Sequence, residues 1–134
     1  MGGPAPAASP RRVAGEILAR VFTRGAWAER LLHARLPGAR FSDRDRRLTA
    51  ELVYGTVKSF RFLDYQLEPL WRTRRPPPPV LSWLRLGAYQ ILKTRIPAHA
   101  AVHETVAAAK GVLPAPSLAL VNGVLRALAR RGSR

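Results

Sequence analysis

The chain has 134 residues, 47% of them apolar, and carries 23 basic against 8 acidic side chains, for a formal net charge of +15. One folded domain of ordinary size is the natural unit, and the apolar share excludes a wholly disordered chain. With no cysteine, disulfides, thiolate metal sites and cysteine nucleophiles are excluded, while a sequence pI of about 11.8 is the electrostatic footprint of a polyanion binder, with an anionic membrane surface as the weaker partner class.

Met1 to Ala8 is Gly, Pro and Ala without periodicity and reads as a disordered tail. Ser9-Pro10 opens the first helix as N-cap and first helical residue, Val13, Ile17 and Val21 form its apolar stripe, and Gly25 ends it. A short helix from Ala26 to Leu36 is expected to turn Trp27 and Leu31 inward before Pro37-Gly38 breaks it. Ser42 caps the next helix, whose first turn holds Asp43 and Asp45. Leu48, Leu52, Val53 and Thr56 face inward there, and Arg44, Arg46 and Arg47 stay in water. Phe60 to Trp71 reads as a further short helix ending near Pro69. The run from Arg72 to Pro79 is a stiff proline connector. Helix resumes from Val80 to Lys93, breaks at Ile96-Pro97, and continues from His99 to Val112. Ser117 is expected to cap a last helix with Val121, Val124, Leu125 and Leu128 at i, i+3, i+4 and i+7. No segment alternates with period two, so the fold class is all-α, with about seven helices.

Catalytic motifs are missing. There is no G-x-G-x-x-G, P-loop or G-x-S-x-G, and most of the eight carboxylates sit beside arginines as on solvated faces. His99 and His103 stand at i, i+4, a spacing that can hold zinc, but nothing in the pattern supplies a third ligand, and no metal is expected. No apolar run reaches the length of a membrane span, so a soluble, cytoplasmic chain is expected. Of the 23 basic residues 20 are Arg, which pairs phosphate bidentately and stacks on bases. They cluster at Arg11 and Arg12, at Arg72, Arg74 and Arg75, and at Arg126, Arg130, Arg131 and Arg134. Three such clusters in an acid-poor chain are harder to dismiss as solvated faces. Single-stranded RNA binding needs a positive groove plus aromatic or Arg planes for stacking, and the aromatics here mostly fall at core spacing, so no stacking residue is assigned.

Asp43 to Val57 (DRDRRLTAELVYGTV), Leu86 to Val106 (LGAYQILKTRIPAHAAVHETV) and Leu120 to Arg126 (LVNGVLR) together resemble the NusB-like family, and the resemblance spans roughly Ser9 to Arg131. It implies two packed three-helix subdomains, a NusB-like domain over residues 9–131, and RNA binding through an arginine-bearing first helix. Arg11, Arg12, Lys110, Asn122 and Arg126 are the RNA-binding candidates it suggests. For Asn122 and Gly123 the plainer reading is structural: Gly123 permits close helix packing and Asn122 bonds nearby backbone. The wording TRIPAHAAVHETV and LVNGVLRALAR is closest to the version of this domain at the N-terminus of RsmB-type rRNA cytosine-5 methyltransferases. That version implies ribosomal RNA as partner, a methyltransferase domain elsewhere, and no catalysis or cofactor in this chain. The alternative implied is a stand-alone factor in transcription antitermination, binding the leader RNA of rRNA operons with a small ribosomal protein.

Overall fold

The structure, a computed structural model, describes residues 8–71 and 74–132. The expected tail falls outside them except for Ala8, as do Arg72 and Arg134. Six helices follow in order: α1 (Pro10–Arg24), α2 (Ala28–Ala39), α3 (Asp43–Trp71), α4 (Pro78–Lys93), α5 (Ala98–Ala109) and α6 (Ala115–Arg131). Among the described residues there is no strand, only an isolated bridge between Lys110 and Leu113. The all-α reading holds, with six helices where about seven were expected.

The difference lies in α3. The two helices expected over 42–56 and 60–71 are one 29-residue helix, about 44 Å long. Nothing between Val57 and Ser59 breaks a helix, and both halves bury the same side: Leu52, Val53 and Thr56, then Leu63 and Leu67. Pro69 lies inside its last turn, and the helix ends two residues later.

The caps divide. Ser9 accepts from the Arg12 amide at 3.1 Å, Ser42 from the Asp45 amide at 3.2 Å, and Gly25 closes α1 in the left-handed region at φ 67°. Ser117 does not cap α6, which starts at Ala115 behind Pro114, with Pro116 in the first turn. Pro37-Gly38 does not end α2 either. The helix runs to Ala39, and the left-handed turn falls on Arg40 at φ 56°. Trp27 is not inward but 76% exposed. It is the extended residue before α2, off the helical stripe, which leaves Leu31 and Leu32 to anchor that helix.

Helices α1, α2 and α3 pack on one another, as do α4, α5 and α6, giving the two three-helix subdomains expected. They join through α4, the most deeply buried helix, which touches α1, α3, α5 and α6. Its contacts are made where a neighbour, or α4 itself, lacks a side chain. The Trp83 ring of α4 lies in the space a Cβ on Gly15 of α1 would fill, and the Tyr89 ring does the same over Gly55 of α3. Leu125 of α6 fills the corresponding space over Gly87 of α4. Large apolar groups set against bare backbone bring the axes close and seal the core around Trp83, Leu84, Leu86 and Leu125, all fully buried. A polar pin crosses the same junction. Arg11 Nε donates to Gln90 Oε1 at 2.7 Å, and Gln90 Nε2 donates to Thr105 Oγ1 at 2.8 Å and to the Leu86 carbonyl at 3.0 Å. Helices α1, α4 and α5 are thereby held in one register.

Candidate nucleic-acid interface

Helices α5 and α6 are joined by the short loop 110–114, so they run back antiparallel and leave an open groove between their outer faces. The groove has a volume of about 630 Å³ and is lined by Ala98, His99, Val102 and His103 from α5 and by Asn122, Arg126, Ala129 and Arg130 from α6. The polar lining follows from helical spacing: 99 and 103 on one helix, 122, 126 and 130 on the other, each set in i, i+4 steps. No carboxylate lines the groove. Its floor is apolar because Val102 belongs to the core, and its rim is basic because Arg126 and Arg130 are exposed. The first turn of α5 opens at the same end behind Pro97, which offers no side-chain cap, so its leading amide N–H groups have no intrahelical acceptor.

The candidate residues separate into two groups. Asn122 and Arg126 share this groove with the histidine pair. Arg12 and Lys110 meet at the other end of α5, about 16 Å along the helix, while Arg11 faces its middle through Gln90 and Thr105. Arg12 donates to the Lys110 carbonyl at 3.1 Å, which turns a carbonyl just past the end of α5 into an anchor for α1. Lys110 itself is exposed. Arg11 is partly committed to the fold through Gln90, and burial pushes its guanidinium below the ordinary arginine range, with Glu104 opposing that shift.

Three readings of these residues change. Gly123 does not mediate close packing, since nothing lies within 4 Å of where its Cβ would be. Asn122 lines the groove, and no hydrogen bond from its side chain to nearby backbone is formed. Arg131, counted with the basic tail, is drawn inward: it donates to the Gln66 carbonyl at 2.6 Å and ties the end of α6 to α3. Among the described residues no three potential ligands come together for a metal ion, so the histidine pair acquires no third partner. No helix among them is long and apolar enough to cross a membrane. Arg130 and the histidines were visible in the sequence, and the shared i, i+4 step on both helices was the signal that could have grouped them. What was missing was the antiparallel register that sets the two rows face to face.

The model of the NusB family matches residues 8–130. A Mycobacterium tuberculosis protein with methyltransferase in its name is 40% identical over 128 residues, 92% of this chain and 28% of its own length. The ribosomal RNA small subunit methyltransferase B of Thermus thermophilus is 40% identical over 126 residues, 93% of this chain and 31% of that protein. Its namesake in Pseudomonas putida is 36% identical over 126 residues, 92% of this chain and 28% of that protein. The chain thus spans under a third of the length of these relatives. A six-helix fold in two three-helix halves, and a family match over nearly the whole described region, place the chain in the NusB family.

Proposed function

We propose that this chain is the RNA-holding, non-catalytic module of an RsmB-type ribosomal RNA cytosine-5 methyltransferase. The observation that carries the reading is the α5–α6 groove, where Arg126, Arg130, His99, His103 and Asn122 converge without a single carboxylate. Such a lining favours a polyanion and offers it more than charge. Arg126 and Arg130, with the uncapped amides of α5, are donors for phosphate oxygens, and the Asn122 amide can read a base edge or a 2′-hydroxyl. Arg12 and Lys110 add positive charge at the far end of α5. The chain has no cysteine, so the cysteine nucleophile implied for methyl transfer by the family resemblance would come from another domain. The names of the relatives favour this reading over a stand-alone antitermination factor, for which family membership is the only support.

The test is binding of a fluorescently labelled single-stranded fragment of small-subunit rRNA, read by anisotropy over a salt series. Each phosphate contact adds about −0.7 to the slope of log K against log salt. The double substitution Arg126→Ala and Arg130→Ala is expected to flatten that slope by about 1.4 if each side chain holds one phosphate. An unchanged slope removes the groove from the interface, and absence of binding at low ionic strength ends the RNA reading altogether.

A further inference from the structure

Apart from Trp27, the exposed aromatics among the described residues lie on α3. Tyr54 is 46% and Tyr65 68% exposed, and both lie on α3. At 3.6 residues per turn, Arg47, Tyr54, Lys58, Arg61 and Tyr65 project within an arc of about 60° along roughly 27 Å of that helix. The opposite side of α3 carries its buried residues Leu52, Thr56, Leu63 and Leu67, so this is its outward face. Arg47, Lys58 and Arg61 are all exposed, and none of them forms an ion pair among the described residues. At the margin Lys93 of α4 lies 4.8 Å over the ring of Phe62.

An amphipathic helix of a soluble domain normally fills its outward face with charged and small polar groups. Two large rings about 16 Å apart, with basic residues before, between and beside them, fit a different use. Each base of a single strand presents a π-face, and the phosphates that link the bases need cations at intervals. A protein partner would be expected to meet more apolar area, and this face has two rings in a field of cations. Glu51 and Glu68 lie about 20° outside its two edges, one helical turn from Tyr54 and Tyr65.

We infer that the outward face of α3, with Tyr54 and Tyr65 set among Arg47, Lys58 and Arg61, is a second RNA contact surface on which bases of a single strand stack. It rests on the RNA reading above, and none of its residues lines the α5–α6 groove. Helix α3 does not touch α5, although it packs against α6.

The experiment uses a labelled single-stranded rRNA fragment of about 20 nucleotides, with Tyr54→Ala and Tyr65→Ala alone and together, and Tyr→Phe at both positions. Helical circular dichroism serves as the folding control, since both side chains are exposed. Each alanine is expected to weaken binding about tenfold with the salt slope unchanged, because a ring neutralises no phosphate, and phenylalanine is expected to preserve affinity. Lys58→Ala with Arg61→Ala should instead flatten the slope. If the tyrosine variants bind as the parent does while Arg126→Ala with Arg130→Ala weakens binding, the groove stands and the stripe is overturned. If the parent sediments as a dimer that Tyr65→Ala dissociates, with RNA affinity unchanged, the face seats a second copy and the inference is likewise overturned. If the parent binds no RNA, both readings fall together.

Discussion

Arg85 and Asp64 form a two-pronged ion pair inside the protein, Nε to Oδ1 at 2.7 Å and Nη2 to Oδ2 at 2.6 Å. The Arg85 side chain is 6% exposed, and its guanidinium lies 4.3 Å over the ring of Phe22 and 5.2 Å over that of Phe60. One cation of α4 is thus held by a carboxylate and a ring of α3 and by a ring of α1. Asp64→Ala would strand this buried charge, with only the rings to receive it. A loss of about 3–5 kcal/mol of unfolding free energy is expected. Urea denaturation checks it, and a loss below about 1 kcal/mol, the range of an exposed pair, would show that the pair is not buried in solution.

Two helical glycines predict opposite signs. A Cβ at Gly15 would occupy the space of the fully buried Trp83 ring, so Gly15→Ala must displace the largest core side chain and is expected to cost 1–3 kcal/mol or more, on the order of other overpacked cores. Gly123 has open space around it in the middle of α6. Gly123→Ala therefore gains helix propensity without a clash, and should stabilise by about 0.5–1 kcal/mol. Thermal unfolding of the two variants separates them.

Adjacent arginines in α1 should behave differently. Arg11→Ala leaves the buried Gln90 carbonyl oxygen without its donor, and a stability loss of about 1–3 kcal/mol is expected. Arg12→Ala removes an exposed bond to the Lys110 carbonyl and should cost about 0.5 kcal/mol. In the RNA assay above, Arg12→Ala is then the cleaner probe of this end of α5, because its loss of affinity is not mixed with loss of fold.

Tyr89 carries a pH dependence. Burial pushes its phenol above the usual value of 10, and the negative charge of Glu51 pushes in the same direction. The folded chain therefore keeps a proton that the unfolded chain loses near pH 10. The stabilising contribution is complete below that pH and falls as pH rises through the folded value. Denaturation between pH 9 and 11 should show stability declining, and Tyr89→Phe should remove that part of the decline. An identical slope in the variant would assign the dependence to other groups.

Much of the fold was legible along the chain because it is written in local chemistry. Ser9 and Ser42 cap where a hydroxyl precedes an apolar period, Gly25 ends a helix because glycine takes positive φ freely, and the row Val121, Val124, Leu125, Leu128 is buried as its spacing requires. The misreadings arose where local signals compete. Phe60 to Trp71 reads as a separate short helix, yet nothing between Val57 and Ser59 breaks the chain and both halves bury the same side, so α3 is continuous. Trp27 reads as inward when the second helix is taken to start at Ala26, but the helix starts at Ala28 and the residue before it is turned to water.

The charges show the same division more sharply. The sequence by itself established a basic, cysteine-free, all-helical chain, because charge, residue type and period are properties of residues taken singly or within one turn. It could not sort the arginines. Arg85 is spent inside the core, Arg131 on the Gln66 carbonyl and Arg11 in part on Gln90, while Arg126 and Arg130 are left facing a groove. That sorting depends on which helices lie side by side and in what register, at sequence separations of 21, 65 and 79 residues for the three engaged arginines. Partners so far apart in the chain meet only when the whole core has closed around α4, so only the tertiary structure could decide which cations hold the protein together and which remain for a ligand.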